Sequence, residues 1–295
     1  MWKGVITGLL IASLFGLGGF VLLRDESGAM GEVLFLLLPF AAGFAVGIVT
    51  ERSKIIAASL VIAAVLCFSV LLLTGAEGWV CVLMAAPLIA VGLVIGALLG
   101  FLFRKYVIDK SKAPRSIKLI VLLLMPLFLA GANTVEQPAR RTPRTETFTT
   151  TLTVDAKPER VWEQLRSVDA LGGSKPFLMR IGLPVPVSCS LEGEGVGSRR
   201  TCYFDSGYIV ERVTAWNPPV LMGLEITESR LPGRHWLSFK DASYEIRREG
   251  DVTVVIRKTT IISRLRPAWY WRRLEGLGVE TEHQYLFRDV ANKLK

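Results

Sequence analysis

The sequence predicts a protein in two parts: an N-terminal multi-pass bundle of about five membrane-spanning α-helices, then a C-terminal α+β domain in which a curved antiparallel sheet wraps a long C-terminal helix. Three observations carry this. Hydrophobic residues make up 51% of the 295, and mean hydropathy is +0.42, an average that a wholly soluble chain rarely reaches. The apolar excess lies before residue 134, in segments near the ~20 residues that cross a bilayer as a helix. From Glu146 onward the pattern changes to short strand and helix periods separated by turns. The division is therefore 1–133 membrane, 134–145 linker and 146–295 folded domain.

The five apolar segments are Gly4–Leu23, Met30–Thr50, Ile55–Gly75, Trp79–Phe103 and Ser116–Asn133. None carries an ionisable group near its centre, which favours an anchor over a transport path. Gly43/Gly47 and Gly92/Gly96/Gly100 have the spacing that lets helices pack closely, and Pro39, Pro87 and Pro126 are candidate kinks.

Five crossings place the termini on opposite sides. Lys3, Arg52, Lys54, Arg104, Lys105, Lys110, Lys112, Arg115 and Lys118 gather on the N-terminal side. Arg24, Arg140, Arg141 and Arg144 fall on the other. The excess of cations puts the N-terminus in the cytoplasm and the C-terminal domain outside, in a plasma or inner membrane. Lys118, the apolar run after it and Ala130-Gly131-Ala132 also have the layout of an export signal; small residues at a helix end are the plainer reading. Net charge is +9, but the segment from Glu146 holds 22 basic against 19 acidic residues, a net of +3. The excess flanks apolar segments, so the partner it implies is the lipid bilayer and not nucleic acid.

The linker Asn133–Thr145 has two prolines and three arginines and reads as an extended tether near the membrane surface. In Thr151–Leu165, Leu152 and Val154 alternate with polar residues as in a strand. After Lys157-Pro158, Val161, Trp162 and Leu165 take helical spacing, with Pro158 and Glu159 suited to a first turn. Trp162 is read as a packing residue. Ala170–Leu183 predicts a second short helix with a loop. Val187–Leu191 and Arg199–Phe204 form a hairpin across Gly193–Gly197, and Tyr208–Trp216 and Leu221–Thr227 follow as strands. Pro232-Gly233 marks a turn, and Trp236–Glu249 and Val252–Ser263 form a hairpin across Gly250-Asp251. Pro267–Lys295 is helical, with Gly276 and Gly278 as a candidate kink or break and an apolar stripe at Val279, Leu286, Phe287, Val290 and Leu294.

The succession VDAKPERVWEQL, GEGVGSRR, GYIVERVTAWNPP and a closing amphipathic helix resembles the SRPBCC (START/Bet v 1-like) superfamily, in its polyketide cyclase/dehydrase and lipid-transport-like branch. The resemblance covers about 146–295 and none of the membrane half. It implies a helix-grip fold, a seven-stranded sheet around the C-terminal helix enclosing an apolar cavity, and a small hydrophobic or amphipathic ligand such as a lipid, sterol or aromatic polyketide.

No spacing of His, Cys, Asp or Glu matches a metal site, no glycine loop joins a strand to a helix for phosphate, and no nucleophile is flagged; no metal or cofactor is expected. The candidate cavity residues are His283, Val279, Leu286 and Val290 on the final helix, with Tyr203, Tyr208 and Tyr244 on strands. His283 either orients a ligand or moves protons, or is a buried histidine satisfied by a carbonyl or a tyrosine. His235 reads as an exposed loop residue. Cys189 and Cys202 fall roughly opposite each other across the hairpin, where a disulfide forms in one register and is forbidden in the next. Cys67 and Cys81 read as apolar filler. Trp269, Trp271, Arg272 and Arg273 are membrane-interface candidates, with core packing of Trp271 as the alternative.

These residues point first to a membrane-anchored, non-enzymatic module that binds a hydrophobic or amphipathic small molecule. A cyclase/dehydratase-type enzyme would need His283 to converge with Tyr203, Tyr208 or Tyr244. A non-catalytic envelope assembly or sensing protein, with a protein partner the residues do not name, would need a filled core.

Overall fold

The computed structural model describes the chain apart from residues 1, 24–29, 75–77, 111–115 and 232–235, and apart from the side chains of 2, 3, 22, 140 and 141. His235 and the Pro232-Gly233 turn lie outside the described residues. Two compact units are present, Met1–Thr142 with Arg264–Pro267, and Pro143–Ser263 with Ala268–Lys295.

The first unit is all helix. Trp2–Ser13, Leu14–Gly18 and Gly19–Leu23 run on as one helix, followed by Val33–Val49, Ser53–Leu73, Trp79–Ile108 and Ser116–Arg141. By length and composition, four of these could cross a membrane; the helix Val33–Val49 is apolar but shorter. Glycines show how the helices run. Gly4 faces Ile55, Gly8 faces Ser59 and Gly16 faces Cys67, so the first and third helices are parallel. Gly8 also faces Val46, and Gly19 faces Leu38, so the second runs antiparallel to the first. A Cβ on Gly43 would collide with the Leu93 carbonyl, one on Gly96 with that of Phe40 and one on Gly100 with that of Phe44. The second and fourth helices therefore run parallel with their backbones touching, which only glycine allows.

The predicted tether is mostly helix. The fifth apolar helix continues through Thr134 to Arg141, because Glu136, Gln137, Ala139 and the arginines are good helix formers and Pro138 removes only one ladder bond. Glu136 has a further task. Its carboxylate accepts the backbone N–H groups of Glu32 and, at 3.2 Å, of Val33, closing the start of the second helix where the dipole favours an anion. The Leu23 end of the first helix, the Val33 end of the second and Glu136 thus share one end of the bundle. Trp2, Val49, Ser53 and Arg104 share the other, where Arg104 donates to the Glu51 carbonyl at 3.1 Å.

The second unit is an antiparallel sheet of seven strands with helices on one face. The strands are β1 (Arg144–Val154), β2 (Pro186–Glu192), β3 (Arg199–Phe204), β4 (Gly207–Asn217), β5 (Leu221–Ser229), β6 (Leu237–Glu249) and β7 (Val252–Ser263), in the order β1-β7-β6-β5-β4-β3-β2. Two helices interrupt the chain after β1, Pro158–Arg166 and the single turn Phe177–Arg180, shorter than the 170–183 segment suggested. The final helix spans Ala268–Leu294. This is the seven-stranded sheet with a long C-terminal helix that the resemblance implies.

Alternation on β1 sets the two faces. Thr145, Thr147, Thr149, Thr151 and Thr153 are exposed, while Phe148, Thr150, Leu152 and Val154 turn toward the final helix. The core joins Val161, Trp162 and Leu165 of the opening helix to Val213, Met222, Leu224, Ile246 and Val255 of the sheet and to Leu286, Phe287, Val290 and Leu294 of the final helix. Each fully buried aliphatic side chain contributes roughly 1.5–3 kcal/mol. Trp162 packs its edge on Trp216, ring centroids 4.9 Å apart, and is a core residue. The final helix neither kinks nor splits at its glycines. Gly276 is there because a Cβ would come within 2.8 Å of the Phe148 ring on β1, so the residue sets how closely the helix lies on the sheet.

Candidate functional site

The face of the sheet that meets the final helix carries three groups of polar side chains, each placed by strand alternation. At the start of the final helix, Arg144 of β1 bonds Glu146 at 2.9 Å and Glu275 at 3.1 Å, Arg272 bonds Glu146 at 3.0 Å, and Ser263 donates to Glu275. Arg144, read from sequence as a linker cation, is thereby a latch between β1 and the helix.

Two turns further along, His283 is fully buried. Its Nδ1 meets Thr150 Oγ1 of β1 at 2.9 Å and its Nε2 meets Thr259 Oγ1 of β7 at 2.8 Å. Burial, assisted by the positive charge of Arg257, lowers its pKa to about 2. The imidazole is neutral at ordinary pH and both ring nitrogens are occupied. It holds two strands to the helix and has no atom free for a ligand or a proton transfer. The partners are threonine hydroxyls, neither the carbonyl nor the tyrosine that the sequence suggested.

The third group crosses the sheet from β3 to the helix. Arg200, 2% exposed, bonds Glu211 of β4 at 2.5 Å and donates to the carbonyls of Leu165 at 3.1 Å and Arg166 at 3.2 Å, closing the end of the opening helix. Burial alone would lower its pKa, but the carboxylate of Glu211 outweighs that and raises it. Arg257 of β7 grips Glu282 of the final helix with both terminal nitrogens, at 3.2 and 2.9 Å, and lies 5.3 Å over the ring of Tyr244. Tyr244, 1% exposed on β6, sits opposite Met222 and Arg257. Burial pushes its phenol up, against the pull of Arg257 and Arg200.

The structure thus separates the predicted residues. Val279, Leu286 and Val290 are buried on the helix stripe, and Tyr244 and His283 face the same interior. Tyr203 and Tyr208 do not join them. They pair across β3 and β4, out of phase with Arg200, Cys202 and Glu211, and so lie on the face away from the helix. Tyr203 is 47% exposed, and Tyr208 bonds Glu228 at 3.2 Å. Of the three tyrosines that the enzyme reading paired with His283, Tyr203 and Tyr208 therefore do not converge with it.

Cys189 and Cys202 are register partners and form a disulfide, S–S 2.08 Å. Of the interface candidates, Trp269 is 65% exposed, and Arg272 and Arg273 are exposed. Trp271 is buried, with its ring against Tyr270, because it lies four residues before Glu275 on the sheet-facing side. Arg200, Glu211, Arg257 and Glu282 were not read from the sequence. Their signal was parity: Arg200 shares a face with Cys202, and Arg257 with Val255 and Ile261.

No protein-family model matches the chain, and no curated protein does. Among solved structures, a Nitrosospira multiformis protein is 19% identical, with 51% of this chain and 97% of that one covered and a TM-score of 0.35. The ZhuI aromatase/cyclase from Streptomyces sp. R1128 is 14% identical, with 52% and 97% covered and a TM-score of 0.36. The Aha1 dimer from Colwellia psychrerythraea is 15% identical, with 50% and 98% covered and a TM-score of 0.32.

Proposed function

We propose that this chain is a membrane-anchored module that binds a hydrophobic or amphipathic, lipid-like small molecule between its sheet and its final helix. One observation carries the reading: the interior of the grip is itself amphipathic. Val213, Met222, Leu224, Val255 and Leu286 pack together as apolar core, and Tyr244, under Arg257 with its partner Glu282, brings polar groups into it. An apolar molecule with one polar end matches that division. The binding reading needs no catalytic set, whereas the enzyme reading loses His283, its best base, to Thr150 and Thr259.

The anchor is the helical unit, and the domain lies on the opposite side of the membrane from residue 1. The alternating helix directions support this, since Trp2 and Glu136 fall at opposite ends of the bundle. The cations near the Trp2 end then mark the cytoplasmic side. On this reading the domain division at 134–145 is a division of labour between anchor and binder, and Trp269, Arg272 and Arg273 offer the domain a surface suited to lipid headgroups.

Native mass spectrometry of the full chain released from detergent micelles tests the binding reading, with a chain ending at Thr142 as control. One apolar adduct per full chain, absent from the truncated chain, is expected. An adduct on neither, or equally on both, would overturn it.

A further inference from the structure

We propose that Tyr244 and Arg257 form the polar end of the binding site and take an uncharged hydrogen-bond acceptor, a ketone or ester carbonyl, on an otherwise apolar ligand. The inference deepens the reading above and rests on it.

Most polar side chains facing the helix are satisfied. Arg200 spends its guanidinium on Glu211, Leu165 and Arg166, and His283 spends both nitrogens on threonines. Two donors on neighbouring strands are not. Tyr244 is 1% exposed, yet its hydroxyl bonds no described residue. Arg257 uses its terminal nitrogens on Glu282, and its Nε–H is buried without a partner. The guanidinium carbon lies 5.3 Å from the Tyr244 ring centroid, so the guanidinium packs over the phenol ring. A buried donor without an acceptor destabilises the folded state, and native interiors rarely keep one without a use.

The charge balance selects the acceptor. Arg257 is neutralised by Glu282 and Arg200 by Glu211, all four beside Tyr244. A carboxylate would bring an unpaired negative charge into this interior, whereas a carbonyl supplies lone pairs without charge. Burial keeps the phenol protonated, hence a donor. Around it, Met222, Ile246, Val255 and Leu286 make the setting apolar.

The test uses the full chain in phosphatidylcholine nanodiscs, titrated calorimetrically with 2-nonanone and with octanoate, with empty discs as the blank. The wild type is expected to bind 2-nonanone at least tenfold more tightly than octanoate. Tyr244→Phe keeps the ring under Arg257 and is expected to weaken ketone binding about tenfold, the effect of one lost hydrogen bond. Arg257→Lys keeps a cation for Glu282 but lacks the Nε–H, and is expected to do the same. A measurement independent of variant folding is the infrared carbonyl stretch of bound, 13C-labelled 2-nonanone, which shifts to lower frequency when it accepts these bonds. An unshifted stretch, equal ketone affinity of wild type and a folded Tyr244→Phe, or tighter binding of octanoate overturns the polar site and leaves apolar binding standing. No ketone binding above empty discs overturns both.

Discussion

Arg200 and Glu211 meet at 2.5 Å between neighbouring strands, and the same guanidinium closes the C-terminal end of the opening helix. A buried arginine thus ties together three elements that the chain presents in the order helix, β3, β4. Breaking the pair on one side leaves a charge without compensation. Glu211→Ala is expected to destabilise the folded domain by about 3–5 kcal/mol. Arg200→Met with Glu211→Leu removes both charges and is expected to recover part of that loss, though not the helix closure. Urea unfolding of the full chain in a mild detergent measures both.

His283 makes stability depend on pH in a stated direction. Its folded pKa is about 2, below the ordinary 6.5. The unfolded chain therefore binds the proton more readily. The contribution is fully present above pH 6.5 and is lost as pH falls toward 2. Between pH 7 and pH 5 this group alone is expected to remove about 2 kcal/mol. His283→Gln keeps a donor and an acceptor for Thr150 and Thr259 but does not titrate, so its stability at pH 5 and pH 7 is expected to differ by about 2 kcal/mol less than in the wild type. Denaturant midpoints at the two pH values decide it.

The disulfide Cys189–Cys202 closes a sequence separation of 13 residues. Closing a loop of this size is worth about 3 kcal/mol by restriction of the unfolded chain. Replacing both cysteines with serine is expected to cost roughly that amount. Thiol titration of the denatured protein is expected to find two thiols without reductant, those of Cys67 and Cys81, and four with it. Four in both conditions, in protein recovered from its native membrane, would place the domain in a reducing compartment.

Backbone contact at Gly96 fixes the second helix against the fourth. Gly96→Val drives a branched side chain into the Phe40 carbonyl and is expected to lower the thermal unfolding midpoint of the detergent-solubilised chain, at a cost of at least 1–3 kcal/mol. Gly131→Val, where a Cβ meets nothing within 4 Å, is the matched control and is expected to leave the midpoint nearly unchanged.

Sidedness has its own check. A reporter fused after Lys295 that is active only outside the cytoplasm is expected to function. Activity of a cytoplasm-only reporter at that position would mean that the number of crossings is even.

The features local to the chain follow from the order of its residues alone. Leu152 and Val154 alternate, so β1 has a buried face. Val161, Trp162 and Leu165 repeat at helical spacing, so they enter the core together. Val279, Leu286 and Val290 mark the buried stripe of the final helix. Each follows from a period of two or 3.6 residues, which a stretch of ten residues is enough to express.

Which polar groups meet depends on the fold as a whole. Thr150 and His283 are 133 residues apart and Arg144 and Glu275 131 apart, and they touch because β1 pairs with β7 beneath the final helix. The pairing of β3 with β4 turns Tyr203 and Tyr208 away from the interior that holds Tyr244, a difference of one residue in phase along a strand. Local pattern tells that a side chain is buried. What it is buried against depends on sheet order, and that is settled by the summed packing of strands distant in sequence.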